Sequence, residues 1–341
     1  MTTQEKVGQM LVCGWSDVLP GDSVHVNAHA AALLDDLRVG GIILMGRNIS
    51  PPRQLRALTT SLQTRVRANG LPPLLIATDQ EGGRVQRLAP PAYAARPAAQ
   101  ALGQTSDADA ARQASADIGR ELASMGINWD FAPILDVNNN PQNPVIGTRS
   151  YGAEADLVAR MGANAVQGLQ QDARVMACGK HFPGHGDTDT DSHFALPRIS
   201  HPRARLEALE IVPFRAAIAA QISSIMTAHI LFPALDARLP ATLSPAILTG
   251  LLREELSFDG LVITDDLEMK GVADHWGAPE AAVLAALAGA DMLLCCHTLA
   301  TQYAIRDALL SALASGRLSE ARLDTSLARI ARAKAQWLGA T

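Results

Sequence analysis

Val175-Met176-Ala177-Cys178-Gly179 runs directly into Lys180-His181-Phe182-Pro183-Gly184-His185-Gly186-Asp187-Thr188-Asp189-Thr190-Asp191-Ser192-His193. The first part is apolar throughout rather than alternating, which predicts a parallel strand buried on both faces. The second part crowds three His, three Asp and a Lys onto the exit of that strand. Ionisable groups at such density cost stability, so they point to chemistry rather than packing.

Similar apolar runs occur at 10–15, 41–45, 74–78, 127–135, 224–229, 261–264 and 291–296, which with 175–180 makes eight. Helical patterns lie between them. Ile305, Ala308, Leu309, Ala312 and Leu313 paint one face, and Leu157, Met161, Ala165 and Leu169 recur at steps of four. Eight strands alternating with helices predict an α/β fold, a single (β/α)8 TIM-type barrel, with a doubly wound open sheet as the alternative. One domain is expected over 1–341, its outer ring closed by a last helix at 320–338. Sites in such barrels lie at the carboxyl ends of the strands. Asp79, Asp136, Lys180-His181, His229 and Asp265-Asp266 all follow apolar runs, so five strands deliver ionisable groups to one rim.

Bulk composition narrows the partners. With 341 residues, 48% apolar, 18% charged and a net charge of −5, the chain can build a full core. The mild negative charge gives no reason to expect nucleic acid or an anionic membrane. No window approaches the ~20 apolar residues that span a bilayer. The amino terminus lacks a basic start before an apolar stretch, so no signal peptide is read there, and a cytoplasmic location and a monomer are expected. Cys13, Cys178, Cys295 and Cys296 show neither disulfide-framework nor metal spacing, and the apolar runs that hold them suit small hydrophobes.

Asp265 ends a strand, which would aim and partly desolvate a nucleophilic carboxylate. Asp also caps helices, so Asp265 in a pocket with Asp266 or Thr264 in a structural role reconciles both readings. Asp191 and His193 are two apart in a loop. A carboxylate beside the imidazole would favour its protonated form and allow proton donation, with a solvated polar loop as the alternative. Metal sites fit poorly. Asp187, Asp189 and Asp191 mimic a calcium loop, but Ser192 stands at its sixth position and Arg198 at its twelfth. Pro183 and Gly184 rule out a helical zinc pair from His181 and His185. A chitinase-like Asp-x-Asp-x-Glu fails because His193 takes the place of the Glu. In Asp79-Gln80-Glu81-Gly82-Gly83-Arg84-Val85-Gln86-Arg87, Asp79 could bind sugar hydroxyls with Arg87 or Lys180. Of Arg84 and Arg87, three apart, one could face the pocket and the other a structural partner. Asp136 and His229 either line the pocket or anchor backbone, and His25, His29, His201, His275 and His297 read as ordinary surface or core residues.

Together, Asp79–Arg87, the run from Asn128 to Asp136 continuing to Asn143–Tyr151, Lys180–His193 and Ile263–Met269 resemble glycoside hydrolase family 3, specifically its bacterial β-N-acetylglucosaminidases of peptidoglycan recycling. The resemblance implies Asp265 as the nucleophile of a covalent glycosyl-enzyme, His193 as general acid/base and Asp191 as its partner. It implies that Asp79, Arg87, Arg149, Lys180 and His181 hold N-acetylglucosamine. It also implies a cytoplasmic enzyme without metal or other cofactor. The substrate implied is a muropeptide or N-acetylglucosaminyl-1,6-anhydro-N-acetylmuramic acid, cut at its β-1,4 bond. Rival expectations are a phosphorylase, a broader β-glycosidase of the same family, a non-catalytic sugar sensor and a metal-dependent amidohydrolase.

Overall fold

The computed structural model describes residues 1–192 and 194–339. Eight parallel strands form one sheet: β1 (Leu11–Cys13), β2 (Gly41–Ile43), β3 (Leu75–Thr78), β4 (Trp129–Asp130), β5 (Met176–Phe182), β6 (Ser224–Thr227), β7 (Leu261–Thr264) and β8 (Leu293–Cys295). They neighbour one another in chain order, and β8 returns to β1 with Cys13 opposite Cys295. The ring closes where Ile263 pairs with Met292 and the Thr264 N–H donates to Met292 O at 3.1 Å. The alternating sequence therefore builds a (β/α)8 barrel, not an open sheet. Every residue of the eight strands is buried, since side chains fill the inside and helices cover the outside.

Two predicted helix faces are buried as the periodicity requires. Leu299–Ala314 buries Ile305, Leu309 and Ala312, and Ala155–Gln167 buries Met161 and Ala165. The last helix runs Glu320–Leu338, capped by the Ser319 side chain, which accepts from the Arg322 N–H.

The fourth strand departs from expectation. The run 127–135 stays beside β5 as far as Leu135, whose N–H donates to Lys180 O at 2.8 Å. However, regular pairing stops after Asp130, because Pro133 has no N–H to give the ladder. The interior is filled there by Trp129 and Phe131, edge to face at 4.9 Å. Trp129 Nε1 donates to Ser224 Oγ at 2.8 Å, which satisfies the indole N–H inside the barrel. After β3 a small hairpin, Gln80–Gly82 with Val85–Gln86, rises from the rim.

Candidate active site

The carboxyl ends of β3, β5, β7 and β8 surround a cavity of about 350 Å3 lined by Asp79, Glu81, Arg87, Arg149, Lys180, His181 and Asp265 among others. Six of the eight site residues proposed from sequence are therefore brought together. Asp191 lies half-buried on the loop above, and His193 lies outside the described residues.

One wall is an ion cluster. Lys180 Nζ sits 2.8 Å from both Asp79 Oδ1 and Glu81 Oε1. Arg87 Nη2 donates to Asp79 Oδ2 at 3.2 Å, and Arg149 grips Glu81 with two bonds of 2.8 Å. Burial opposes the charge on Asp79, yet Lys180 and Arg87 overcome it and hold the carboxyl well below its ordinary range. Burial likewise opposes the Lys180 ammonium, which Asp79 and Glu81 hold above its ordinary range. Three cations against two carboxylates keep every member ionised, leaving polar groups fixed for a hydroxylated ligand. Glu81 escaped the sequence reading. Its signal was the strand period, which puts residues 79 and 81 on one side of an extended chain. Arg84 turns away to the Val145 and Ile146 carbonyls, while Arg87 faces the cavity.

Asp136 anchors rather than lines. Its Oδ1 accepts from the His181 and His185 N–H groups at 3.1 and 2.7 Å, and its Oδ2 meets His181 Nδ1 at 2.8 Å. That bond assigns the proton to Nδ1 and turns Nε2 toward the cavity. His229 is also a support: Nδ1 meets Thr242 Oγ1 at 2.8 Å and Nε2 donates to Asp266 O at 3.0 Å. Its neutral form is favoured by burial, so it steadies the backbone next to Asp265 without adding charge.

Asp265 leaves β7 half-buried, its Oδ1 accepting from the Asp266 N–H at 2.8 Å. Thr264 Oγ1 accepts from Leu294 N–H at 2.9 Å, tying β7 to β8 immediately below. Asp266 accepts at Oδ1 from Glu268 and Cys296 N–H groups, so it shapes the turn and fastens the end of β8. The sequence reads His297 as an ordinary residue and Cys296 as a small hydrophobe. Both line the cavity, because β8 ends at Cys295, immediately before the pair.

The stretch 184–192 is seated by specific contacts. A Cβ on Gly186 would lie 1.8 Å from Val137 O, so only glycine permits that crossing. His185 bonds Thr188 Oγ1 through Nδ1 at 2.9 Å and Ser192 Oγ through Nε2 at 3.0 Å. The Gly271 N–H donates to Ser192 O at 3.1 Å, and His201 reaches across to Asp187. Burial pushes the His185 pKa from 6.5 down to about 4. Above pH 6.5 the ring is neutral whether folded or unfolded, so its contribution is complete. Between 6.5 and 4 the unfolded chain binds the extra proton, so stability falls as pH falls, by at most roughly 3 kcal/mol. Urea unfolding of wild type and His185→Gln from pH 7 to pH 4 should show the variant with the flatter profile. Parallel profiles would remove this role for His185.

Residues 2–333 match the glycosyl hydrolase family 3 N-terminal domain. The chain is 36% identical to beta-hexosaminidase A of Pseudoalteromonas piscicida over 367 residues, covering 98% of this chain and 61% of that protein. It is 40% identical to a beta-hexosaminidase of Alkalilimnicola ehrlichii over 282 residues, 81% of this chain and 79% of that one. A solved glycoside hydrolase family 3 beta-N-acetylglucosaminidase from Paenibacillus sp. str. FPU-7 superposes with a TM-score of 0.95 at 47% identity, over 100% of this chain and 64% of that one. The chain thus spans somewhat under two thirds of two of these relatives. Among the described residues no helix is long and apolar enough to cross a membrane.

Proposed function

The chain belongs to the glycosyl hydrolase family 3 N-terminal domain family, and from that premise we propose that it is a retaining exo-β-N-acetylglucosaminidase. The observation that carries the reading is Asp265 at the end of β7, facing a cavity whose other wall is the Asp79–Lys180–Glu81–Arg149 ion cluster. The cluster, with Arg87 and His181, holds the hydroxyls and acetamido group of the non-reducing sugar. Asp265 attacks C1 while His193, kept protonated by Asp191, gives its proton to the departing oxygen. A water then gives a proton back to His193 and displaces Asp265, so configuration at C1 is retained after two inversions. The substrate we propose is N-acetylglucosaminyl-1,6-anhydro-N-acetylmuramic acid, with or without stem peptide, in cytoplasmic peptidoglycan recycling. The barrel acts in this reading as one domain and as a monomer.

Hydrolysis of an aryl β-N-acetylglucosaminide against an aryl β-glucoside, with and without phosphate, tests the proposal. Preference for the acetamido sugar and release of the free sugar support it. Sugar 1-phosphate as the main product, or equal rates on both substrates, overturns it.

The seating of Ser192 and Ala195 beside Asp191 makes a second prediction. A Cβ on Gly271 would stand 2.8 Å from Ser192 O and 3.1 Å from Ala195 O, both backbone atoms. Gly271→Ala should therefore lift the loop while leaving the helix Lys270–Trp276 at least as stable, since alanine favours helix. We expect kcat/KM to fall about 10- to 100-fold with little change in Tm. An unchanged kcat/KM would mean that loop seating does not govern the chemistry.

A further inference from the structure

The cavity has a second chemical character that sugar binding leaves unexplained. Asp266, Cys296 and His297 stand at the ends of the adjacent strands β7 and β8. One carboxylate oxygen, one Sγ and one ring nitrogen from them lie within 4.8 Å of one another. All three residues line the cavity that Asp265 faces. Two of the three are held in place: Asp266 and Cys296 are buried, and the Cys296 N–H donates to Asp266 Oδ1 at 3.2 Å. The third closes the set, because His297 Nε2 already lies 3.3 Å from Asp266 Oδ2 on a half-exposed side chain able to rotate. Oxygen, sulfur and imidazole donors suit a borderline divalent ion in tetrahedral geometry, with water as the fourth ligand. Magnesium and calcium, which require oxygen shells, suit it poorly.

We propose that Asp266, Cys296 and His297 bind a zinc-type cation on the cavity wall, and that this ion closes the sugar site rather than serving it. On binding, the Cys296 thiol loses its proton to solvent as the sulfur–metal bond forms, with no change of oxidation state. The ion and its water then fill the space beside Asp265 that the sugar would occupy, so ion and sugar exclude one another. A second donor set, Asp266 with Glu268 and Cys295, shares Asp266 and competes with the first. Glu268 is less available to a metal, since its carboxylate accepts from the His297 and Thr298 N–H groups at 2.6 and 3.0 Å. Metal binding stands on these residues alone, whereas the inhibition rests on the sugar-site reading above.

The test uses the full chain after chelation, with Cd2+ as an optical probe and Zn2+ in dialysis and kinetics. One ion per chain and an ultraviolet thiolate-to-cadmium band are expected in wild type. Cys296→Ser should lose the band, and His297→Asn, at a half-exposed position that does not endanger folding, should weaken binding about 10-fold or more. Zn2+ should raise KM for an aryl β-N-acetylglucosaminide and leave kcat unchanged. A missing band, or one that survives Cys296→Ser and disappears in Cys295→Ser, overturns the site. Binding without inhibition overturns the closing role. A metal-free protein that binds cadmium as described yet cleaves no sugar sinks the enzymatic reading and leaves the site standing.

Discussion

Asp265→Ala should abolish hydrolysis of aryl β-N-acetylglucosaminides, a loss of about 10^4-fold or more in kcat, with Tm close to wild type. The size follows from the role proposed. No other protein group in the scheme forms a bond to C1, so without the carboxylate only direct attack by water on the intact glycoside remains. Small structural cost follows from the surroundings. The segment is fixed by bonds that do not involve this side chain: Thr264 Oγ1 to Leu294 N, His229 Nε2 to Asp266 O, and Asp266 Oδ1 to Cys296 N. Truncation takes the acceptor from the Asp266 N–H, on a half-exposed residue. Azide gives a sharper check than loss alone. In the variant it should enter from the face that Asp265 vacates and yield the α-glycosyl azide, opposite in configuration to the wild-type product. Turnover within tenfold of wild type, or rescue to the β-azide, would remove Asp265 as the nucleophile.

The barrel was legible because its strands are buried on both faces. Runs such as Leu261–Thr264 carry no polar alternation, and the loops after them switch abruptly to ionisable residues. The fourth strand was read too long because apolar content does not reveal a missing hydrogen-bond donor; Pro133 does, and its consequence is local. The ends of β3 and β7 were equally legible, since Asp79 and Asp265 each follow an apolar run, whereas β5 runs on past Lys180 to Phe182. Partnerships were not. Glu81 is joined to Arg149 across 68 positions, and Asp136 to His181 across 45. Such pairs are set by how neighbouring strands register, which one chain's pattern does not encode. The same limit hid His297 and Cys296, whose chemistry depends on Asp266 from the adjacent strand. Asp136, His185 and His229 illustrate a further point. Each is an ionisable residue near the rim, but each spends its hydrogen bonds on backbone, hydroxyl or, for Asp136, imidazole groups that hold a neighbour in place.

His193→Ala should separate two classes of substrate. Where the leaving group is a sugar hydroxyl, bond cleavage needs a proton on the departing oxygen, and kcat/KM should fall about 10^2- to 10^4-fold. Where the leaving group is an activated, strongly acidic phenol, little protonation is required, and kcat/KM should fall less than about tenfold. The second half of the cycle cannot escape in the same way. Water must still lose a proton to attack the glycosyl-Asp265 ester, so the variant should accumulate that ester, release a burst of phenol equal to the enzyme, and show a lowered KM. Azide, which attacks without giving up a proton, should relieve the block and yield the β-glycosyl azide, of the same configuration as the wild-type product. The loop contacts sharpen the expectation for its neighbour. Ser192, between Asp191 and His193, is held by His185 and Gly271. Asp191→Asn should therefore leave the loop seated and lower only the charge that keeps the imidazole protonated, shifting the basic limb of the pH profile for sugar leaving groups to lower pH. Equal losses on both classes of substrate in His193→Ala, with no burst, would mean that the proton comes from elsewhere on the rim.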